Sequence, residues 1–207
     1  MKRPKRNLVV KSNSLINAKS KYLYTKNELK VICSLIANIK KEELDFEDKT
    51  MNLRDLGFLQ EDFNNHTYLN TLCRDLMSKP FQIPNTKIWV NWFSMIEIEN
   101  GIMHYRFDKA LKEHLLNLKE KFTKYDIDNV LLLKSTYTIV MYELLKQYEK
   151  IGERTFKIIE LREILNIPHS YNFNNFKTTI IHTLKELKDK TDINCSYELK
   201  KICRNFN

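Results

Sequence analysis

Residues 121–148 read KFTKYDIDNVLLLKSTYTIVMYELLKQY, and this stretch decides how the rest of the chain is parsed. Leu133, Tyr137, Val140, Leu144 and Tyr148 recur every three or four residues, the spacing of one face of an α-helix. The spacing predicts a long helix over about 128–149 with that stripe turned to a core. A helix placed here divides the chain into two parts, each of which has its own order of elements.

Upstream, Thr25-Lys26-Asn27-Glu28 is a capping box, in which Thr25 accepts from the Glu28 amide and Glu28 reaches back. The helix it opens carries Leu29, Ile32, Cys33, Ile36 and Ile39 on one side. A second helix runs from His66 to Ser78, with Leu69, Leu72, Cys73 and Leu76 inward, and Pro80 stops it. The period then becomes two: Ile88, Val90 and Trp92 alternate with other residues, as do Met103, Tyr105 and Phe107. Asn100-Gly101 between these runs tolerates the positive φ angles of a type I′ turn and predicts a hairpin. A further helix starts near Asp108, with Leu111, Leu115 and Leu118 inward. Helix, short strand, helix, helix, hairpin, helix is the order of a winged helix.

Downstream of the long helix the same order begins again. Gly152 ends a turn, Phe156 and Ile158 suggest a short strand, and residues 160–165 form a short helix stopped near Ile167-Pro168. Another helix covers 173–189, and Cys195, Tyr197 and Leu199 alternate like a strand. That strand has no Asn-Gly turn and no return strand before Asn207, so the second wing is expected to be incomplete. The expected fold is mainly α with small β-hairpins (α+β), built as tandem winged-helix domains. The parts are a basic arm at 1–11 (Lys2, Arg3, Lys5, Arg6, Lys11), a first winged helix at 12–120 and a second at 121–207.

Composition narrows the function. The 207 residues are 43% apolar with only three glycines, and the formal net charge is +9. A basic surface concentrates polyanions, nucleic acid above all. Scarce glycine argues against phosphate-cradling loops, and neither G-x-x-x-x-G-K-[ST] nor G-x-G-x-x-G occurs. His66, His104, His114, His169 and His182 stand apart, so no metal site and no catalytic residue is expected; the chain is expected not to be an enzyme and to need no cofactor. The run Glu42, Glu43, Asp45, Glu47 and Asp48 reads as a solvated acidic loop. No apolar run is long enough for a membrane span, and the N-terminus lacks the apolar region of a signal peptide. A cytoplasmic protein with reduced thiols at Cys33, Cys73, Cys195 and Cys203 is expected.

Helix 173–189 is the candidate DNA reader. Phe173, Phe176, Ile180, Leu184 and Leu187 form its inward stripe. The opposite face holds Asn174, Thr178, His182 and Lys185, with Asn175 beside them and Lys177 on the same helix. Asn can bond adenine twice, Thr can meet a thymine methyl, and Lys pairs with phosphate or guanine. Every amphipathic surface helix has a polar face, so this chemistry gains weight only from the helix-turn-helix made with residues 160–165. Helix 66–78 is the counterpart in the first half, with Asn65, Asn70, Thr71, Arg74 and Asp75 outward. Arg74 and Lys79 are its only basic contributions. Lys119, Lys121, Lys124, Lys134 and Lys146 could follow a DNA backbone, although a solvated face explains any one of them. Trp89, Trp92 and Phe93 crowd the first hairpin strand, and Trp89 and Trp92 should point to opposite faces.

The chain resembles the iteron-binding plasmid replication initiators, a Rep-type family. The resemblance rests on Phe122-Thr123-Lys124-Tyr125, on Lys134-Ser135-Thr136-Tyr137-Thr138, on Tyr142-Glu143-Leu144-Leu145-Lys146-Gln147-Tyr148, and on residues 7–18, which are similar to the family's opening. The family's basic residue before its Tyr-Glu pair is absent, and Val140 stands near that place. The resemblance implies two winged helices, binding to repeated double-stranded origin DNA, a monomer–dimer balance in which the dimer represses, and partnership with the host replication initiator and helicase. It implies no membrane partner. In the family the first winged helix both dimerises and contacts DNA. The alternatives are a rolling-circle nicking initiator, which would need a metal-binding histidine pair, a winged-helix transcriptional regulator, and a basic module for protein or RNA.

If several phosphates are neutralised, the logarithm of duplex affinity should fall linearly with the logarithm of salt concentration, with a slope of roughly −4 to −8. Titrations across a salt series measure this, and a flat response would remove DNA as the partner of the basic charge.

Overall fold

The computed structural model describes residues 7–83 and 86–200. The chain opens with strand β1 (Leu8–Ser12) and a single turn of helix, α1 (Asn13–Ile16). β1 pairs antiparallel with β7 (Phe122–Asp126), placing Val9 opposite Tyr125 and Lys11 opposite Thr123. Residues 8–11, assigned by sequence to the basic arm, are therefore part of a sheet. Their alternation explains it: Val9 and Lys11 both face inward and are buried. The rest of the arm, with Lys2, Arg3, Lys5 and Arg6, lies outside the described residues, as does Cys203.

The first winged helix follows. Helix α2 (Lys26–Ala37) starts with the expected capping box at Thr25 and Glu28. Strand β2 (Lys49–Asn52) leads through two 3-10 turns (Leu53–Asp55 and Gly57–Asp62) to α3 (His66–Met77), which buries Leu69, Leu72, Cys73 and Leu76 as its period requires. A two-residue pairing of β3 (Phe81–Gln82) with β4 (Trp89–Val90) precedes the wing, β5 (Phe93–Glu99) and β6 (Ile102–Phe107). Asn100 and Gly101 have φ of 49° and 76°, as a type I′ turn requires. The hairpin arm begins at Phe93, later than the sequence suggested, because Val90 pairs with Phe81 instead of β6. Trp89 is 47% exposed and Trp92 8%, so only the former reaches the surface. The three-stranded sheet has the order β2-β6-β5, leaving β5 at an edge. The acidic loop is tied down, with Glu43 on Lys49, Asp45 on Lys112 and Asp48 on Arg106. The helix expected from Asp108 is short, a 3-10 turn followed by α4 (Lys112–Leu115).

The long helix of the opening stretch is two helices, α5 (Ile127–Leu131) and α6 (Thr136–Lys146). At the break the Lys134 amide donates to the Glu186 carboxylate at 2.7 Å, a partner from the far end of the chain. The buried surface of α6 is also wider than one stripe: Thr138, Ile139, Met141, Tyr142, Glu143 and Leu144 are all buried, whereas Tyr137, Val140 and Tyr148 are only partly so. A helix flanked on several sides has no simple polar face.

Its centre is an ion pair. Lys11 Nζ donates to Glu143 Oε1 at 2.7 Å, and the Tyr125 hydroxyl donates to the same oxygen. Lys11 lies 3.6 Å from Cys33 Sγ and 5.4 Å from the centroid of the Trp92 ring. Burial would lower the Lys11 pKa, but the groups facing it, Cys33 and Glu143, raise it overall. A raised pKa in the folded state means the lysine's contribution is complete below its ordinary value of 10.5 and is lost as pH rises past it.

The last elements are α7 (Ile158–Ile164) and α8 (Phe173–Lys190). The strand expected at Phe156 and Ile158 does not form, since Ile158 opens α7 and Arg154 packs 4.3 Å from the Phe156 ring centroid. Residues 193–200 contain no strand: Ile193 and Cys195 pack against the core, but among the described residues no strand pairs with this segment. The buried apolar side chains form one connected cluster from Val9 to Ile193.

Removing either partner of the buried pair should be costly. Lys11→Met or Glu143→Met alone is expected to lose about 3–5 kcal/mol, while the double variant should recover much of that because no charge is left buried. Urea unfolding of the three variants checks this, and single losses below about 1 kcal/mol would mean the pair is hydrated.

Candidate nucleic-acid interface

The second helix-turn-helix is built from local signals. α7 ends in a Schellman motif: Asn166 takes a φ of 57°, its amide donates to Glu163 O, and the Ile167 amide donates to Arg162 O. Arg162 then holds the turn, donating to the carbonyls of Tyr171 (3.0 Å) and Asn172 (3.2 Å) with its guanidinium 4.7 Å from the Phe176 ring centroid. Asn172 caps α8 by accepting from the Asn175 amide at 2.9 Å.

α8 is anchored from its C-terminal half. Glu186 accepts from the Lys134 amide and from the Thr138 hydroxyl, both at 2.7 Å, and from Lys190 at 2.8 Å. A carboxylate from α8 thus sits at the N-terminus of α6, where the helix dipole favours it. Burial alone would raise the Glu186 pKa, but the hydrogen bonds from Lys190, Thr138 and Lys134 hold it below the usual carboxylate value. This anchor is therefore intact at neutral pH and weakens as pH falls through the acid range. Just past the helix, Asp192 accepts from Tyr142 (3.1 Å) and Lys146 (2.8 Å).

These anchors leave the other face free. Asn174, Asn175, Lys177, Thr178, His182 and Lys185 are all exposed, and none of these side chains has a hydrogen-bond or ion-pair partner among the described residues. At 100° per residue, Asn174, Thr178, Ile181 and Lys185 fall within about 60° of one another, with His182 and Asn175 on one flank and Lys177 on the other. The inward stripe differs at three places. Phe173, at the first turn, is exposed with the Phe176 ring against it, at 6.4 Å between centroids, and Leu184 is only partly buried. Thr183 is buried at the centre of the packed face. Ile181, 43% exposed in the middle of the polar face, was missed. Its angle around the helix was the available signal, and its apolar character hid it.

In the first winged helix, Asn70 and Arg74 are exposed on α3, and Arg74 approaches only Asp75, at 3.9 Å. Lys79 is not available for DNA. Its ammonium is bonded to both oxygens of Glu28, at 2.6 and 2.7 Å, with the Glu28 side chain 2% exposed. Glu28 is held in place by its capping of Thr25, so Lys79 is the counter-ion of a buried cap. Lys146 is likewise used internally, by Glu149 and Asp192. Lys119, Lys121, Lys124 and Lys134 remain exposed. The wing of this module carries Glu97 and Glu99 near its tip, exposed and of the wrong sign for phosphate.

Helix-turn-helix units with a β-hairpin wing, repeated along one chain, define the tandem winged-helix proteins. Two family models match here: the first winged helix of initiator replication proteins over residues 8–146 and the second winged helix of initiator Rep proteins over 157–206. The chain belongs to the initiator replication protein family. Among solved structures it is similar to the Pi initiator protein, crystallised in complex with iteron DNA, with a TM-score of 0.69 and 16% identity over 92% of this chain and 89% of that one. Identity at this level speaks to the fold. The search of curated proteins found no match.

Substituting the reading face should separate two kinds of contact. Asn174→Ala is expected to cost about 1–3 kcal/mol on the specific DNA and little on random duplex, while Lys185→Ala weakens both alike if it touches phosphate. Ile181→Ala should lower affinity where a thymine methyl faces it. Equal losses for Asn174→Ala on both DNAs would remove its base-reading role.

Proposed function

We propose that this chain initiates replication of a plasmid by binding repeated duplex DNA, iterons, at the origin, with α8 as the main reader and α3 as a second contact. The observation that carries the reading is α8 itself: capped by Asn172, anchored from behind by Glu186 and Asp192, and offering Asn174, Thr178, Ile181 and Lys185 on one unpartnered face. Asn supplies the paired donor and acceptor that adenine matches, Thr and Ile supply methyl contacts, and Lys supplies charge. Membership of the initiator family and likeness to a protein crystallised on iteron DNA support the same conclusion. On this reading the chain performs no catalysis. It bends or marks the origin and recruits the host replication initiator and helicase in the cytoplasm. Among the described residues no helix is long and apolar enough to cross a membrane.

Self-association belongs to the same proposal. β5 is a sheet edge with unpaired backbone groups, and Trp89 is exposed nearby with Lys21 Nζ 5.5 Å from its ring centroid. An open edge beside an exposed aromatic offers backbone pairing and apolar burial to a second copy. By family analogy the dimer represses and the monomer initiates.

Two measurements test this. Gel shifts with the tandem repeats flanking the gene should show strong preference over scrambled duplex, and supercoiled plasmid incubated with magnesium or manganese should stay uncut. Equal binding to scrambled DNA would defeat sequence reading, and metal-dependent nicking would favour the rolling-circle alternative. Sedimentation of the full chain at micromolar concentration should show a dimer that Trp89→Glu dissociates; a monomer throughout would assign Trp89 another role.

A further inference from the structure

Lys11 and Lys30 are both buried, but only Lys11 has a carboxylate within hydrogen-bond distance. The Lys30 ammonium donates instead to the Leu131 carbonyl at 2.6 Å, at the end of α5, with the Phe58 ring centroid 5.7 Å away. The charged groups that act on it are Lys26, Lys190 and Glu186. Glu186 is already shared by Lys190 (2.8 Å) and by the Lys134 amide (2.7 Å). Burial, Lys26 and Lys190 each lower the Lys30 pKa, and Glu186 offsets them only in part. Lys26 opens α2 one turn before Lys30, and like charges at that spacing repel. Lys134 adds a further ammonium on the turn between α5 and α6. Lys26 and Lys134 are exposed, and neither has an ion-pair partner among the described residues.

The place of this cluster in the fold matters as much as its sign. On one side, the first turn of α2 adjoins α3: Asn27 Nδ2 donates to the Tyr68 hydroxyl at 2.8 Å, and Thr25, Lys26 and Asn27 share a groove with Tyr68, Thr71 and Asp75. On the other side, Glu186 and Lys190 belong to the last turns of α8. The acids that could neutralise the cluster are engaged elsewhere or already shared: Glu28 is held by Lys79, and Asp75 lies 3.9 Å from Arg74. Positive charge therefore continues from Arg74 on α3, across Lys26, Lys30 and Lys134, to the end of α8. Such crowding is unfavourable in the free chain and is relieved by an anion.

We propose that Lys26 and Lys134, backed by the buried charge of Lys30, form a phosphate-binding site that holds the duplex backbone between α3 and α8. This rests on the reading that the chain binds duplex DNA, and it places a contact outside both reading helices. A phosphate contact carries no sequence information, so the site adds affinity on every duplex alike.

The test measures duplex affinity across a salt series for the full chain and its variants. Lys26→Gln and Lys134→Gln should each make the slope of log affinity against log salt shallower by about 1, on tandem repeats and random duplex alike. Lys41→Gln, at an exposed lysine of the acidic loop, should leave the slope unchanged. Lys26→Glu supplies Lys30 with the carboxylate it lacks, so the free chain should unfold at higher urea while duplex affinity falls roughly tenfold or more. That gain in stability should vanish when Lys30→Met is added, which separates it from a favourable charge at a helix end. A lysine with only a structural role would lower stability and affinity together and leave the salt slope as it is. ATP titrated against the free chain at constant ionic strength distinguishes a free nucleotide from DNA. Stabilisation of the wild type but not of Lys26→Glu, with duplex slopes unchanged, would assign the site to the nucleotide and overturn the proposal. It is also overturned if both glutamine variants keep the wild-type slope, or if the stability gain of Lys26→Glu persists without Lys30. Should the wild type show no preference for the repeats while the slopes still fall, reading by α8 is lost and this site stands. Should Asn174→Ala abolish the preference while the slopes do not move, the site is lost and the reading stands.

Discussion

Glu143 is buried in the middle of α6, and a carboxylate there must be met by a charge and by hydrogen bonds. The charge is Lys11, 132 residues away along the chain, and the second donor is Tyr125. This one requirement fixes much of the rest. It holds β1 in its register with β7, because Lys11 has to face inward opposite Thr123. It sets α6 against α2, where Cys33 adjoins the pair, and brings Trp92 of the first winged helix to within cation–π distance of Lys11. The cation that faces Glu143 arrives from the N-terminal strand.

α6 is thus the common support of both halves. On one side it carries the sheet of β1 and β7; on the other it carries α8 through Glu186 and Asp192. The arrangement has a functional logic. Glu186 of α8 and Asp192 just past it are used inward, on the start of α6 and on Lys146, whereas Asp189, the other acid of α8, is exposed on the same side as Lys185 and His182. The same sorting commits several lysines to partners within the fold. Lys79 neutralises the Glu28 cap, Lys146 neutralises Asp192, and Lys11 neutralises Glu143; these pairs sum to zero and leave the net charge of +9 to the other residues. Lys177 and Lys185 on the exposed face of α8 have no such commitment.

Several elements were legible in the sequence because their causes are local. The box at Thr25 and Glu28, the four-residue rhythm of Leu69 to Leu76, the Asn100-Gly101 turn and the cap and period of α8 each act within a few residues. The candidate site was legible to the same extent, since the exposed face of α8 follows from its own angular order. What escaped was non-local. The opening stretch has helical spacing throughout, yet the helix breaks before Ser135 because the Lys134 amide bonds to Glu186. Ile158 alternates with Phe156 as in a strand, yet it opens α7, and among the described residues no strand pairs with it.

By itself, then, the sequence determined most kinds of element, their order and the outward face of α8, since these depend on backbone preferences and periodicity over a turn or two. Only the tertiary structure decided which charges are available. Lys79 and Arg74 look alike on the page as basic residues at one end of a helix, but Lys79 is held by a buried glutamate and Arg74 stands in solvent. It also decided that Lys11 belongs to the core, because a charged side chain is buried only where the fold brings partners from distant segments to meet it.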